Sequence, residues 1–356
     1  MPDCLLEVRD ADGAFECVQD WLRERGFFAP GGENLLAEIY LGYGLSQTIR
    51  RTSTSPPAEP CAALPLAACR LRSPGERARA RAFELGTWEQ TWTAAEHVLA
   101  IEEVRAAIAR GDVYQVNLVQ HLCAPFSGDP YELARRLAPL RPLHPAPFAT
   151  ESWSVVSASP ELYLSRRGDR LWTMPIKGTR PRGAAAELRS SEKDAAEHVM
   201  IVDLERNDLS RVCLAGTVRW PELMATRELA GVEHMVSTVE GRLREGAGLA
   251  EILAATFPGG SVTGAPKIAA VDLIAELEPV GRGASMGALG VVYGNGDFDL
   301  ALTIRTFAIA DDEIHLWVGG GIVWDSDPAR EVEESWTKAR PLLRAIGASV
   351  PEAALR

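Results

Sequence analysis

The stretch Pro175-Ile176-Lys177-Gly178-Thr179-Arg180-Pro181-Arg182-Gly183 puts a primary amine into a turn-rich segment beside two arginines. The chain has 37 basic residues, and only four are lysines: Lys177, Lys193, Lys267 and Lys338. Arginine keeps its proton at working pH and lysine can lose it, so an amine retained among guanidinium groups suggests a need for the free base. Arg180 and Arg182 are expected to favour that form by charge repulsion, which suits a nucleophile. A solvated lysine in a basic turn is the plainer alternative.

Two acidic pairs form the second candidate set. Asp194 with Glu197, and Glu331 with Glu334, each stand three residues apart, hence on one face of a helix. Four converging carboxylates suit a hard cation, magnesium above all, which keeps several waters and binds one or two protein carboxylates plus an anionic substrate. Acidic pairs on a helix are more often a solvated face; Asp194 could serve as a capping-box residue and Glu331 could favour a helix start. Arg305, within Leu302-Thr303-Ile304-Arg305-Thr306-Phe307, reads as an arginine inside an apolar strand. Its partner is either a substrate carboxylate gripped by the two-pronged guanidinium or a buried acid. Gly319-Gly320-Gly321 could offer bare N–H groups to an anion, or be a simple turn. His234, in Val232-Glu233-His234-Met235-Val236, either faces a ligand or is a satisfied core histidine.

These residues need elements to hold them. Thr93-x-x-Glu96 is a capping box, a helical period follows through Val98, Ile101, Val104 and Ile108, and Gly111 stops it. Residues 112–122 alternate as a strand. Residues 154–165 and 170–175 read as two strands about the turn Arg167-Gly168-Asp169. Counted outward from that turn, Glu161 falls nearly opposite Lys177, so a carboxyl and an amine could flank one small ligand. Residues 191–209 read as a helix with Ser191 as N-cap, and 272–277 as a shorter one. The segments 287–293, 299–310 and 313–323 read as a meander with turns at Gly294-Asn295-Gly296 and Asp311-Asp312. A last helix starts with Asp327 as N-cap and Pro328 at the first helical position, carrying Glu331, Glu334 and Lys338 on one face. Nearer the start, 15–23 suggests a helix, 35–45 is apolar, and 53–75, rich in Pro, Ala and Ser, reads as an irregular connection. No internal repeat is visible.

At 356 residues the chain suffices for one large domain or two ordinary ones. Its net charge of −12 argues against nucleic acid or an anionic membrane as partner. No stretch reads as an export signal or a membrane span. The six scattered cysteines, with no CxxC, read as free thiols. A cytoplasmic protein is the expectation.

Eight motifs then fall in order: GDVYQVNL (111–118), SASPELYL (157–164), PIKGTRPRG (175–183), AEHVMIVDLERNDLSRV (196–212), VEHMVSTVEG (232–241), PGGSVTGAPK (258–267), DLALTIRT (299–306) and GGGIVWDSDPAREVEESWTKA (319–339). Together they resemble the chorismate-utilising enzymes, a family that includes anthranilate, aminodeoxychorismate, isochorismate and salicylate synthases. The resemblance runs from about residue 95 to about 343. It implies an α+β fold, large antiparallel β-sheets in a sandwich flanked by helices, with the site in a central cleft. It also implies a divergent, shortened N-terminal region (1–92) contributing to that fold, a catalytic domain (93–345) and a tail (346–356).

By resemblance, Lys177 selects the branch. Anthranilate synthases carry alanine in PIAGTR, and the aminodeoxychorismate enzymes carry lysine. Gln115 stands where the isochorismate and salicylate enzymes place a water-activating lysine, which argues against water as nucleophile. The resemblance makes Lys177 the nucleophile toward C2 of chorismate and Glu161 the general acid/base. It makes Glu197 and Glu334 magnesium ligands, with Asp194 and Glu331 reaching the ion through water. Arg305 and the Gly319–Gly321 backbone grip a carboxylate, while Gln115, Gly178, Thr179, His234 and Lys338 line the pocket. It further implies ammonia as second substrate and a glutamine amidotransferase component II as partner. The alternatives are an anthranilate synthase and a non-catalytic chorismate-binding paralogue. Two departures stand out: RGASMGA (282–288) where relatives often have RGPYCGA, and Val332 where an aromatic is usual.

Overall fold

A computed structural model describes residues 5–72, 81–229 and 232–349. Cys4, residues 73–75 of the expected connection, positions 350–356 of the tail, and the side chains of Thr179 and Lys193 lie outside the described residues.

In chain order the N-terminal part holds β1 (Leu5–Val8), α1 (Ala14–Glu24), β2 (Leu36–Leu41), β3 (Ala67–Leu71), β4 (Phe83–Leu85) and β5 (Glu89–Gln90). Next come α2 (Ala94–Arg110), β6 (Gln115–Gly128), α3 (Pro130–Leu137), β7 (Phe148–Ala149), β8 (Trp153–Ser157), β9 (Leu162–Arg167), β10 (Arg170–Met174) and β11 (Ile176–Pro181). The middle holds α4 (Ala185–Ser190), α5 (Glu192–Ser210), β12 (Arg219–Leu229), β13 (Val232–Arg242), α6 (Leu249–Thr256), β14 (Gly264–Ala265) and α7 (Lys267–Leu277). The chain closes with β15 (Ala288–Tyr293), β16 (Phe298–Leu302), β17 (Thr306–Ala310), β18 (Glu313–Ile322) and α8 (Pro328–Ile346).

Among the described residues the strands form a ten-stranded sheet, β1-β3-β2-β15-β16-β9-β10-β13-β11 with β12 also on β13, and an eight-stranded one, β14-β6-β18-β17-β8-β7 with β4 and β5 on β6. Every pairing is antiparallel. The α+β sandwich is thus as expected. The larger apolar cluster joins both sheets, with Ile39, Leu289 and Leu300 from one, Val116 and Leu118 from the other, and Val104, Ile252 and Ile274 from helices. A second cluster fills the other face of the smaller sheet, where Leu122, Phe307 and Leu316 meet Leu133 of α3 and Trp336 and Leu342 of α8. Burial on both faces explains why β6 is buried continuously over its first eight residues, rather than alternating as its sequence suggests.

Local chemistry fixes the helix ends. Thr93 accepts the Glu96 N–H, Glu96 returns the bond to the Thr93 N–H, and Gly111 closes α2 at φ 84°. Ser191 caps α5 through the Asp194 N–H, and Asp327 caps α8 through the Arg330 N–H with proline in the first turn.

Several sequence boundaries need correction. The run 299–310 is two strands, β16 in the larger sheet and β17 in the smaller, and 154–165 likewise divides into β8 and β9. Strand-like composition flanks each crossing on both sides, so composition alone runs the two strands together, although Pro160 interrupts one run and Thr303-Ile304-Arg305-Thr306 the other. Arg305 is therefore not inside a strand. It lies at the crossing with φ 50°, where a non-glycine residue is held by its surroundings. The connection 53–75 contains β3, and the helix expected at 272–277 starts earlier, at Lys267.

Candidate active site

Two neighbouring strands cross between the sheets side by side. β8 and β17 pair in the smaller sheet, and β9 and β16 in the larger. The crossings are tied together: the Ala158 N–H donates to the Arg305 carbonyl (2.9 Å), and the Leu302 N–H to that of Glu161 (3.0 Å). One crossing carries Glu161 and the other Arg305. Glu161 is 5% exposed, and burial raises its pKa above the ordinary carboxylate value, opposed by the Ser261 hydrogen bond and then by the charge of Lys177. Burial lowers the pKa of Arg305, which Glu161 counteracts.

The amine comes from the larger sheet. β11 pairs with β13, and the register shifts between Lys177 and Thr179. Gly178 sits in that bulge at φ 63°, with a Cβ position only 2.5 Å from Leu188 Cδ1, so glycine alone suits it. The placement opposite Glu161 expected from a simple hairpin is modified. Met174 pairs with Leu162, and the Ile176 N–H reaches Glu161 Oε1 at 3.5 Å. Lys177 belongs to the next strand, opposite Met235. Its Nζ is turned inward, 12% exposed over the side chain, and lies 2.7 Å from Glu197 Oε1. The flanking arginines are matched by acids, Arg180 by Asp194 at 2.7 Å and Arg182 by Glu228 at 3.1 Å. The uncompensated arginine charge expected from sequence is thus not the setting of the amine.

Gln115 opens β6 and is 1% exposed. Its Nε2 donates to the same Glu197 oxygen at 3.1 Å. A carboxylate only accepts, so this bond orients the amide; the amide's Oε1 is buried without a hydrogen-bond partner. His234, buried, meets the Gly178 carbonyl through Nδ1 at 3.3 Å, and burial lowers its pKa, favouring neutral imidazole.

Helix α8 approaches the Gly319–Gly321 end of β18. Lys338 Nζ donates to the Gly319 carbonyl at 2.7 Å and pairs with Glu334 at 2.9 Å. Glu331 accepts from Ser326 Oγ at 2.7 Å. A Cβ on Gly320 would lie 3.5 Å from Glu331 Oε2 and 3.6 Å from Glu334 Oε1; one on Gly321 would lie 3.0 Å from Glu197 Oε1 and strike Gln115 Nε2. Acids of both helices thus come to consecutive glycines, and any side chain there would fill the space beside them.

That cradle and its all-oxygen donor set suit a hard cation. Among the described residues no three acidic, histidine or cysteine side chains already stand in ligating positions; Glu197 and Glu334 rest on lysines and Asp194 on an arginine.

The structure also brings forward residues that the sequence reading passed over. Ser261 donates to Glu161 Oε1 at 2.8 Å. Behind it, Lys267 pairs with Asp208 and donates to the carbonyls of Thr256 (2.8 Å) and Pro258 (2.6 Å). Glu205, pushed up to about 8 by burial and next by Asp208, accepts the Gly260 N–H. The signal was the motif PGGSVTGAPK, whose chemistry shows only once the loop is seen against α5. Arg282 of the divergent RGASMGA segment is 1% exposed and pairs with Glu278 at 2.7 Å.

The family model for chorismate binding enzymes matches residues 15–344. This chain belongs to that family. It is 43% identical to anthranilate synthase component 1 of Thermus thermophilus over 285 residues, covering 77% of this chain and 60% of the relative. It is 40% identical to aminodeoxychorismate synthase component 1 of Bacillus subtilis over 269 residues, covering 72% and 57%. The chain therefore spans less than two thirds of these relatives' length. Anthranilate synthase component I from Streptococcus pneumoniae has the same fold, with a TM-score of 0.80 at 25% identity over 91% of this chain and 85% of that one. Among the described residues of this family member, no helix is long and apolar enough to cross a membrane, and Cys17, Cys61, Cys69, Cys123 and Cys213 are free thiols.

Proposed function

We propose that this chain is component I of an aminodeoxychorismate synthase, converting chorismate and ammonia to 4-amino-4-deoxychorismate and water. The observation that carries the reading is the inward-turned amine of Lys177, on Glu197, beside a buried carboxyl that desolvation biases toward its acid form. In the first step Lys177, attacking as the free amine after its ammonium proton has passed to solvent, bonds through Nζ to C2, the ring double bond shifts, and the C4–O bond breaks. Glu161 gives its proton to the departing oxygen, which leaves as water. In the second, ammonia bonds to C4, the double bond shifts back, and the C2–N bond breaks. The proton released by the incoming nitrogen returns to Glu161. One displacement becomes two easier ones. Arg305 holds a substrate carboxylate, and the Gln115 Oε1 offers ammonia an acceptor.

Glu197 and Glu334, with Asp194 and Glu331 near them, would hold Mg2+. When bound, the ion neutralises a substrate carboxylate and fixes the ring. Ammonia is taken to come from a glutamine amidotransferase component II, and the setting to be cytoplasmic.

The anthranilate reading is favoured by the 43% identity to an anthranilate synthase. Incubating the chain with chorismate, Mg2+ and ammonium salt, and identifying the product by mass and ultraviolet spectrum, decides between them. 4-Amino-4-deoxychorismate is the expected product. Anthranilate would overturn the proposal, and no turnover across a range of pH would favour a binding protein.

A further inference from the structure

Glu161 takes both of its hydrogen bonds on a single oxygen. The Ser261 hydroxyl donates to Oε1 at 2.8 Å, and the Ile176 N–H approaches the same atom at 3.5 Å. A protonated carboxyl carries its hydrogen on one oxygen and accepts at the other. An oxygen already faced by two donors is the acceptor, so the acid hydrogen belongs on Oε2.

Ser261 is itself held. The preceding N–H, of Gly260, donates to Glu205 Oε1 at 3.0 Å. Two residues on, the Thr263 hydroxyl donates to the Gly259 carbonyl at 3.0 Å. The loop closes on Lys267, paired with Asp208 and bonded to the Pro258 carbonyl at 2.6 Å. A serine hydroxyl on a free loop would sample three rotamers; this loop is pinned at both ends to buried acids of α5.

We infer that Ser261 is a positioning residue, fixing Oε1 of Glu161 as acceptor so that the transferable proton rides on Oε2 and leaves from there toward the departing hydroxyl of the substrate. The inference deepens the proposed function and rests on its reading of Glu161 as the acid. The charged groups facing Glu161 are Lys177 from β11 and Arg305 from the adjacent crossing, with Glu205 from α5 also felt. Ser261 heads the influences that oppose desolvation, so its removal keeps Glu161 protonated to higher pH.

The test compares wild type with Ser261→Ala, Ser261→Thr and Glu161→Gln. Thermal unfolding serves as a fold check, and Ser261→Cys replaces the alanine variant if that does not fold. In Ser261→Ala, kcat is expected to fall about 10- to 100-fold with KM for chorismate nearly unchanged. The alkaline limb of kcat/KM should move to higher pH, and Ser261→Thr should restore both. Independently of turnover, the carboxylic C=O stretch that vanishes from the infrared spectrum in Glu161→Gln should move to higher frequency in Ser261→Ala, because its carbonyl oxygen has lost a donor. An unmoved stretch and alkaline limb overturn the inference, as does a raised KM at constant kcat, which would make Ser261 a substrate contact. Full activity in Glu161→Gln sinks the underlying reading instead; an inactive Glu161→Gln beside a wild-type-like Ser261→Ala sinks the positioning role alone.

Discussion

On the proposed function, Lys177 and Glu161 divide the chemistry between a nucleophile and an acid, and each role leaves a separate trace. Lys177→Ala is expected to lose any covalent substrate adduct seen by intact-protein mass after acid quench; an equal adduct in the variant removes the amine from the mechanism. Glu161→Gln keeps the shape of the crossing but carries no transferable acid proton. Its kcat should drop on the order of 10²- to 10⁴-fold while chorismate still binds, measurable by fluorescence titration; unchanged kcat refutes the acid role. The sequence marked both residues, one by the scarcity of lysine and one by a count along a hairpin. That count gave the right neighbourhood with the wrong strand partner, because the hairpin ends before Lys177 and a new strand begins on β13. Ser261 lacked any such mark: a serine in a glycine-rich loop is ordinary until a buried carboxyl is found 2.8 Å away.

Helices α5 and α8 deliver the carboxylates, and their starts were legible because capping is local. Ser191 and Asp327 each bond an N–H three residues ahead, needing nothing from the rest of the fold. Asp327→Ala should cost about 1 kcal/mol of stability, read by chemical denaturation, and, on the proposed Mg2+ role, should raise the Mg2+ concentration needed for half-maximal activity, because Glu331 and Glu334 lie in the first two turns it secures. An unaltered Mg2+ dependence would separate the cap from the site. Strand ends fared less well. At the two crossings strand-like composition resumes within a few residues of the break, so 154–165 and 299–310 each read as one strand. Arg305 shows the consequence, since a residue assigned to a strand interior stands where backbone direction turns.

At the scale of the whole molecule, three histidines buried away from the candidate site each subtract stability toward acid. Burial lowers His97 to about 4, His121 to about 3 and His315 to about 4, and each is no more than 5% exposed. The unfolded chain binds protons at these positions near pH 6.5 while the folded one refuses them, so stability is full above that pH and declines as pH falls toward 3–4. At about 1.4 kcal/mol for each tenfold change in proton affinity, the loss by pH 4 is on the order of several kcal/mol, comparable with the stability of an ordinary domain. Buried carboxyls such as Glu205, raised to about 8, shift stability the opposite way as they take up protons, so the histidine contribution is read as the difference in Tm between wild type and a histidine variant from pH 6.5 to 4. His121→Phe, replacing an imidazole stacked on His315 and tilted against Trp317, should lose less stability than wild type over that range; an equal loss contradicts the burial of a neutral imidazole.

The amino-acid sequence by itself determined the helix starts, the inventory of amine, acids and arginine, and the family resemblance, because these depend on neighbours within a few residues or on order along the chain. Tertiary structure decided which groups meet. Glu197 comes to Lys177 from 20 positions away and to Gln115 from 82, and Ser261 meets Glu161 across 100. Such pairings follow from how two sheets share strands and how a loop is pinned to a helix, and no local pattern encodes them.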